Sequence, residues 1–474
     1  MRFARGRSPR SIGATIREGA PLVIRIIRCL IVSLLVLPGA GLAEPATTGE
    51  RAERAEILPM RERAELRDRW LESRLDRLVP QLLSETGTDM WVLVAREYNE
   101  DPVVETMLPA TWINARRRTI LVFARDTDGS VRRYAVARYP VGTLFPSAWN
   151  PEEQPDQWQR LVEIIRRHDP ETIAINVSPL FALADGLSHQ QHEDFMDALP
   201  RKYRRRIVSG EPLAIGWLST RSGAEMELYP GIVRIAHDII DEAFSRAVIT
   251  PGETTTDDVR WWMRDRVNEL GMTVWFHPSV TIQQPARERS SPADEATDPA
   301  QVIQPGDLLW VDFGITYLGL NTDTQQHAYV LKPGESEAPG GLRDGLAALN
   351  RSTDILMDAF KEGRRSNEIL DIARQSATAE GLRPSYYSHG IGYHGHGAGS
   401  PIGWWDDQGT DHPKGYLPLR ADTAWSIELN TTFSVPEWGG QDVVFRAEED
   451  AFFDGEAVRF MDGRQTRFHL IPSE

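Results

Sequence analysis

The chain has 474 residues, 41% hydrophobic and 26% charged, a length suited to two or three folded domains of ordinary composition. Its formal net charge of −16 argues against nucleic acid or an anionic membrane as partner. The one cysteine, Cys29, lies in the N-terminal leader. Disulfides and thiolate metal sites are therefore not expected, and any metal must be held by oxygen and imidazole.

Residues 1–43 read as a secretory signal. Arg2, Arg5, Arg7, Arg10, Arg17, Arg25 and Arg28 form a basic leader, Leu30–Leu37 is apolar, and Gly41-Leu42-Ala43 supplies small residues for cleavage. The apolar run is shorter than the roughly 20 residues of a membrane span; retention as an anchor is the alternative. The leader holds seven Arg and one Glu, so losing this +6 takes the charge from −16 to −22. The expectation is a periplasmic or secreted protein with no stable membrane association after cleavage.

Residues 44–60 read as a linker. A long amphipathic helix is predicted from Arg61 to Glu85, with Leu66, Trp70, Leu71, Leu75, Leu78 and Leu82 near helical spacing and Pro80 as a potential kink. Strands are predicted at Met90–Ala95, Thr119–Ala124 and Val131–Ala137, the last two joined by Asp126-Thr127-Asp128-Gly129. That tetrapeptide lacks the later ligands of a calcium loop and reads as a hairpin turn. A helix at Gln157–Arg167 and a strand at Thr172–Val177 complete an α/β domain over residues 61–216.

Residues 217–474 carry a weak internal repeat. A helix around Ile232–Ile249, Gly252, a Thr254–Thr256 cap and a second helix ending at Gly271 are matched later. The counterpart is a helix around Leu342–Phe360, then Gly363, a Ser366 cap and a helix ending at Gly381. Strands follow each pair, which predicts a pseudo-symmetric domain with a site between its halves.

Chemistry concentrates after these helices. The apolar run Leu308–Val311 reads as a buried strand ending at Asp312, and the chain turns at Gly314 and Gly319 to reach Asp323. Two carboxylates brought side by side are costly unless a positive charge lies between them. The stretch Ser388-His389-Gly390-Ile391-Gly392-Tyr393-His394-Gly395-His396 sets three histidines on a glycine-spaced loop. Ala424–Glu428 places a carboxylate at the end of a strand-like run. Val443–Phe453 reads as a strand interrupted by acids, expensive unless these are paired or metal-bound.

In this ordered set of acids and histidine, residues 220–465 resemble the pita-bread metallopeptidases, which include Xaa-Pro aminopeptidases, prolidases, methionine aminopeptidases and the metal-free creatinases. Residues 61–216 resemble the N-terminal domain of the Xaa-Pro aminopeptidase and creatinase branch. The resemblance implies an α/β (α+β) chain, a creatinase-like N-terminal domain followed by a pseudo-symmetric pita-bread domain. It places five metal ligands on Asp312, Asp323, His389, Glu428 and Glu448. Asp312 would hold one ion, His389 and Glu428 the second, and Asp323 and Glu448 would bridge. Glu448 is preferred to Glu449 because Arg446-Ala447-Glu448-Glu449 fits the Arg-x-Glu-Asp pattern. The implied cofactors are two divalent ions, Mn, Co, Fe or Zn, activating a bridging hydroxide. Glu428 would shuttle a proton, His396 would contact substrate, and Arg446 would orient the ligands.

The expected function is exported Xaa-Pro-type aminopeptidase or dipeptidase activity on short peptides, in a chain that forms a homodimer. The alternatives are a same-fold hydrolase of a non-peptide amide or ester, and a non-catalytic creatinase-like binding module. Three departures from the family pattern bear on specificity. No histidine stands at Arg287–Pro292, where one usually contacts substrate; His277, further upstream, reads as structural. Thr324-Gln325-Gln326 replaces x-Thr-Arg, and Leu429-Asn430 replaces Pro-Gly. Trp404-Trp405-Asp406-Asp407 and Asp411-His412 form an insertion that reads as an aromatic and acidic wall over the cleft, or as packing.

Overall fold

The computed structural model describes residues 47–48, 51–285 and 300–473. The leader and the Arg287–Pro292 segment lie outside them. Helix α1 (Met60–Glu85) forms as its periodicity predicts, burying Trp70, Leu71, Leu75, Leu78, Leu82 and Leu83 and carrying Pro80 within it. Strands β1 (Met90–Arg96), β2 (Arg118–Arg125), β3 (Val131–Val136), β4 (Ile173–Ile175) and β5 (Ile207–Ser209) build a sheet ordered β3-β2-β1-β4-β5. The β2–β3 pair is antiparallel around the Asp126–Gly129 turn, closed by Gly129 N–H donating to Asp126 O at 3.0 Å.

This sheet is covered on both faces, which accounts for its unbroken apolar strands. Trp91, Leu93, Leu121 and Phe123 pack with α1. Met90, Val92, Ile120 and Val122 pack with Leu161 and Ile165 of helix α2 (Gln157–His168). Gly216, read as the end of this domain, sits inside helix α3 (Glu211–Ser219). A Cβ there would lie 2.4 Å from Leu82, so α3 lies tight against α1. The chain therefore crosses this boundary within a buried helix rather than a linker.

The segment read as a linker is docked from Arg51 onward. Ala52 N–H donates to Asp462 at 2.6 Å, Ala55 N–H to Gly231 O at 3.1 Å and Leu58 N–H to Tyr317 Oη at 2.8 Å. Arg51 pairs with Asp241 at 3.2 Å.

The repeat is present as two helical pairs. Helix α4 (Gly223–Met226) leads into α5 (Tyr229–Ala243) and α6 (Thr256–Glu269); later come α7 (Gly340–Asp358) and α8 (Ser366–Ala379). Helix α6 starts with the anticipated cap, Thr255 and Asp258 forming a reciprocal capping box. For α8 the capping position is Arg365, one residue before the expected Ser366. Gly271 and Gly381, which end the pairs, have φ of +67° and +74°, the left-handed conformation that stops a helix.

The strands between and after these pairs are β6 (Ser279–Gln283), β7 (Leu308–Phe313), β8 (Thr324–Val330), β9 (Pro384–Tyr386), β10 (His389–Gly390), β11 (Thr423–Val435), β12 (Gln441–Phe453) and β13 (His469–Ile471). They join a nine-stranded sheet whose main path is β9-β11-β12-β8-β7-β6. Leu309, Val311 and Phe313 pack with α5 and α6, so alternation turns Asp312 to the opposite face. Trp425, Ile427 and Leu429 pack with α7 and α8, which likewise turns Glu428 away from the core. No helix among the described residues is long and apolar enough to cross a membrane.

One buried charge cluster ties the parts together. Arg74 of α1 reaches Glu225 of α4 at 2.9 Å, Arg221 approaches the same carboxylate at 3.5 Å, and Tyr393 Oη donates to it at 2.6 Å. Burial alone would raise the pKa of Glu225, but Arg74 and Arg221 outweigh it and hold the group at about 2. Both guanidinium groups also lie over the Tyr393 ring, at 5.0 and 4.4 Å. Removing one member of such a group leaves a buried charge undercompensated. Arg74→Ala is expected to cost about 3 kcal/mol, read as a lower urea midpoint. An unchanged midpoint would show that Arg221 alone balances Glu225.

Candidate metal centre

The sheet register sets the site. Asp312 pairs with Gln325, Gln325 with Glu448, and Glu448 with Glu428, so four polar side chains from β7, β8, β12 and β11 form one row. Directly paired residues share a face and stand about 5 Å apart. Asp323 precedes β8 and lies on the same face as Gln325, two residues on. His389 enters from β10, which pairs with β11 opposite Ser426.

All five residues expected as ligands come together. Asp312, Asp323 and Glu448 form one close group, and His389, Glu428 and Glu448 another, with ligand atoms within 4.8 Å of one another. Glu448 belongs to both. His396 joins Asp323 and His389 in a third group, at the exposed mouth. Glu449 faces the other way: its carboxylate takes His237 Nε2 at 2.7 Å and the amide of Gln326 at 3.1 Å. Asp462 holds His237 Nδ1 at 2.7 Å. Burial would favour a neutral His237 ring, but Glu449 and Asp462 outweigh it and raise the pKa to about 10. Preferring Glu448 over Glu449 thus matches the side on which each acid lies.

The donors fit a cation. His389 Nδ1 lies 3.0 Å from its neighbour's carbonyl, Gly390 O. That bond assigns the proton to Nδ1 and leaves the Nε2 lone pair pointing into the cluster. There Nε2 lies 3.4 Å from Glu448, 3.8 Å from Asp323 and 3.9 Å from Glu428, yet makes no hydrogen bond. Asp323 Oδ1 is also buried without a hydrogen-bond partner. Lone pairs converging on lone pairs away from water require a positive charge. The oxygen-rich set with one imidazole suits first-row divalent ions.

Electrostatics agree. Burial, then Glu448, Asp312, Glu428 and Asp450, push the Asp323 carboxyl well above its ordinary range. Burial, then Glu448 and Asp312, do the same to Glu428, against opposing help from Gln325 and Arg446. Asp450, which accepts from Asp323 N–H at 3.1 Å, is raised by its burial and by Glu448 and Glu449.

Other sequence expectations resolve individually. Arg446 lies with its guanidinium 4.7 Å over the Trp310 ring and contributes positive potential at Glu428. Desolvation of the ring, then the neighbouring His389, push His396 down to about 4. Its neutral ring sits among His389, Trp275 and Tyr387 at 4.8, 5.3 and 6.2 Å. His394 is half-buried and outside the metal-binding groups. His277 packs on exposed Trp261, 5.1 Å between ring centres, also away from them. Of the insertion, Trp404 stacks on Tyr387 at 5.9 Å, making the aromatic wall, while Trp405 and its acids point to solvent.

Sequence reasoning passed over Gln325, Ser426 and Tyr387. Gln325 stood out only as a departure from the family pattern. Ser426, two residues before Glu428 and so on its face, donates to Glu448 at 2.5 Å. Tyr387, two residues before His389, packs on its ring at 5.4 Å.

Residues 231–462 match the model of metallopeptidase family M24. This part of the chain belongs to that family, and the chain is by class a metallopeptidase. Solved structures of similar fold include an X-Pro aminopeptidase from Thermotoga maritima MSB8 (15% identity, 83% of this chain and 99% of that one, TM-score 0.58). A dipeptidase from Pyrococcus horikoshii OT3 (16%, 83% and 99%, 0.54) and an Xaa-Pro dipeptidase from Bacillus anthracis (15%, 87% and 100%, 0.53) are also similar. At these identities the likeness is one of fold. No curated protein matches the chain by sequence.

The raised carboxyl groups set a pH dependence. A group whose folded pKa lies above its unfolded value, 3.8 for Asp323 and 4.5 for Glu428, stabilises fully below that value and loses this stability as pH climbs through the folded pKa. The metal-stripped protein is therefore expected to melt at progressively lower temperature above about pH 4.5. The gap between melts with and without Mn²⁺ should widen over the same range. A gap independent of pH would show that these acids are not charge-coupled to a cation.

Proposed function

We propose that this protein is an exported dinuclear metallohydrolase that cleaves short peptides as an Xaa-Pro-type aminopeptidase or dipeptidase. The observation that carries it is the pair of donor groups sharing Glu448, set by one register row of the sheet. Asp312, Asp323 and Glu448 would hold one ion, and His389 and Glu428 with the shared acids the other. Bound there, divalent ions would polarise the scissile carbonyl and lower the pKa of water.

The chain's own residues supply the rest. Glu428 lies at the end of the row, on the side of the aromatic wall, and moves a proton through its carboxylate toward the leaving amine. His396, neutral at the mouth, offers a ring nitrogen to the substrate's carbonyl or amide. Trp275, Tyr387 and Trp404 line this side with flat apolar surface, which favours an apolar residue beside the scissile bond. The basic and apolar leader supports export to the periplasm or medium, which cell fractionation tests. Homodimer formation is part of the same reading, checked by sedimentation.

The test is metal content together with turnover of an Xaa-Pro dipeptide panel, for the mature protein and Asp323→Ala. The expected result is about two ions per chain with cleavage. In the variant, metal is lost and the rate falls at least ~100-fold, since even supporting residues cost 10–100-fold. Two metals with cleavage only of ester or non-peptide amide substrates would move the substrate and keep the centre. No bound metal under any loading condition would leave a binding module. His396→Ala is expected to retain both ions while KM rises or kcat falls by about 10²-fold.

A further inference from the structure

We infer that Gln325 is a positioning residue that decides which oxygens Glu428 and Glu448 present to the metals. This rests on the metal-centre reading above. Gln325 stands in the middle of the register row, between Asp312 and Glu448, and is 3% exposed. Its Nε2 donates to Glu428 Oε1 at 3.0 Å and to Glu448 Oε2 at 2.6 Å. Both amide protons are thus spent on the two glutamates.

The amide cannot turn over without loss. Gln325 Oε1 accepts from Trp310 Nε1 at 3.1 Å, and indole is only a donor. A flipped amide would set N–H against N–H at Trp310 and oxygen against two carboxylates. Trp310 is in turn covered by the Arg446 guanidinium at 4.7 Å. The order Arg446, Trp310, Gln325, Glu428 with Glu448 is a continuous support behind the row.

The consequence is at the level of single atoms. With Glu428 Oε1 and Glu448 Oε2 taken by the amide, the oxygens nearest His389 Nε2 are Glu428 Oε2, at 3.9 Å, and Glu448 Oε1, at 3.4 Å. Gln325 therefore holds one oxygen of each glutamate back and leaves the other toward the imidazole, where Ser426 Oγ also donates to Glu448 Oε1 at 2.5 Å. Glutamates directly opposite on adjacent strands repel, and the amide bridges them without adding charge. A lysine or arginine here would compete with the cations for the acids. A glutamate would place one more carboxylate within hydrogen-bond distance of Glu428 and Glu448.

The experiment is calorimetric titration of Mn²⁺ into EDTA-stripped wild type, Gln325→Met and Gln325→Glu, with thermal melts of the stripped forms. Methionine keeps the length and volume of glutamine but donates nothing. For Gln325→Met, Mn²⁺ affinity is expected to fall about 10–100-fold at one or both steps, with the Mn²⁺-saturated melt nearly unchanged. Gln325→Glu should melt lowest when stripped and gain most from Mn²⁺, because the added charge is costly alone and favourable beside a cation. Should Gln325→Met fail to fold, Gln325→Asn keeps the amide one methylene too short and is expected to show the same weakened titration. Wild-type titration with either neutral variant unchanged would overturn the inference alone. Wild type that binds no Mn²⁺ would overturn both it and the metal centre.

Discussion

The structure turns on one electrostatic constraint: four carboxylates and an imidazole lone pair converge within a few ångströms on one largely buried face of the sheet. Their mutual repulsion cannot be relieved by rotating outward, because Asp312, Glu428 and Glu448 leave strands already committed to a core on the other face and Asp323 is held just before β8. Leu309, Val311 and Phe313 fix the phase of Asp312, and Trp425, Ile427 and Leu429 fix that of Glu428. Hydrophobic burial, worth about 25 cal/mol per Å² over many side chains, thus holds the acids where their own charges would not put them. The fold supplies the energy, and a cation relieves the repulsion.

A second arrangement keeps the back of the site in order. Glu449, adjacent in sequence to Glu448, points the opposite way into a histidine clamped by two acids. Alternation in β12 therefore separates an acid of the candidate metal centre from one paired with a protonated ring. The two buried acids differ in their partners: Glu449 has a ring built into the chain, whereas Glu448 lies in the group of donors that could hold a cation from solution.

Much of this was legible in the sequence, for identifiable reasons. The α1 periodicity, the hairpin turn at Asp126–Gly129 and the paired helices ending in glycine are local signals, and each appears in the fold. The acids of the cluster stood out because carboxylates beside apolar strand segments are costly, and the resemblance to the pita-bread metallopeptidases picked out the five residues that the fold brings together. Gln325 was not legible, since an amide in a strand costs little and its value comes only from the register that sets it between Asp312 and Glu448. Tyr387 and Ser426 each stand two residues before an expected ligand, a signal the spacing offered, but the bond from Ser426 to Glu448 needed the strand pairing. The segment before α1 read as a linker because it is small and polar. Its order comes from single long-range contacts such as Ala52 with Asp462, which leave no periodic trace. Gly216, near which the first domain was read to end, permits close contact with Leu82, a role that no local pattern signals.

The cluster around Glu225 has a consequence for inheritance. Arg74 lies in a helix before the residues that match the M24 family, Glu225 lies just before them, and Tyr393 lies within the loop that carries His389 and His396. An arginine, a glutamate and a phenol separated by as many as 319 positions (from Arg74 to Tyr393) must suit one another in one dry space. Drift in any one is constrained by the other two. A chimaera that joined this catalytic half to a foreign first half would fail at that meeting point unless the incoming helix brought a cation to the same place. The two ends of this contact can therefore be exchanged between proteins only together.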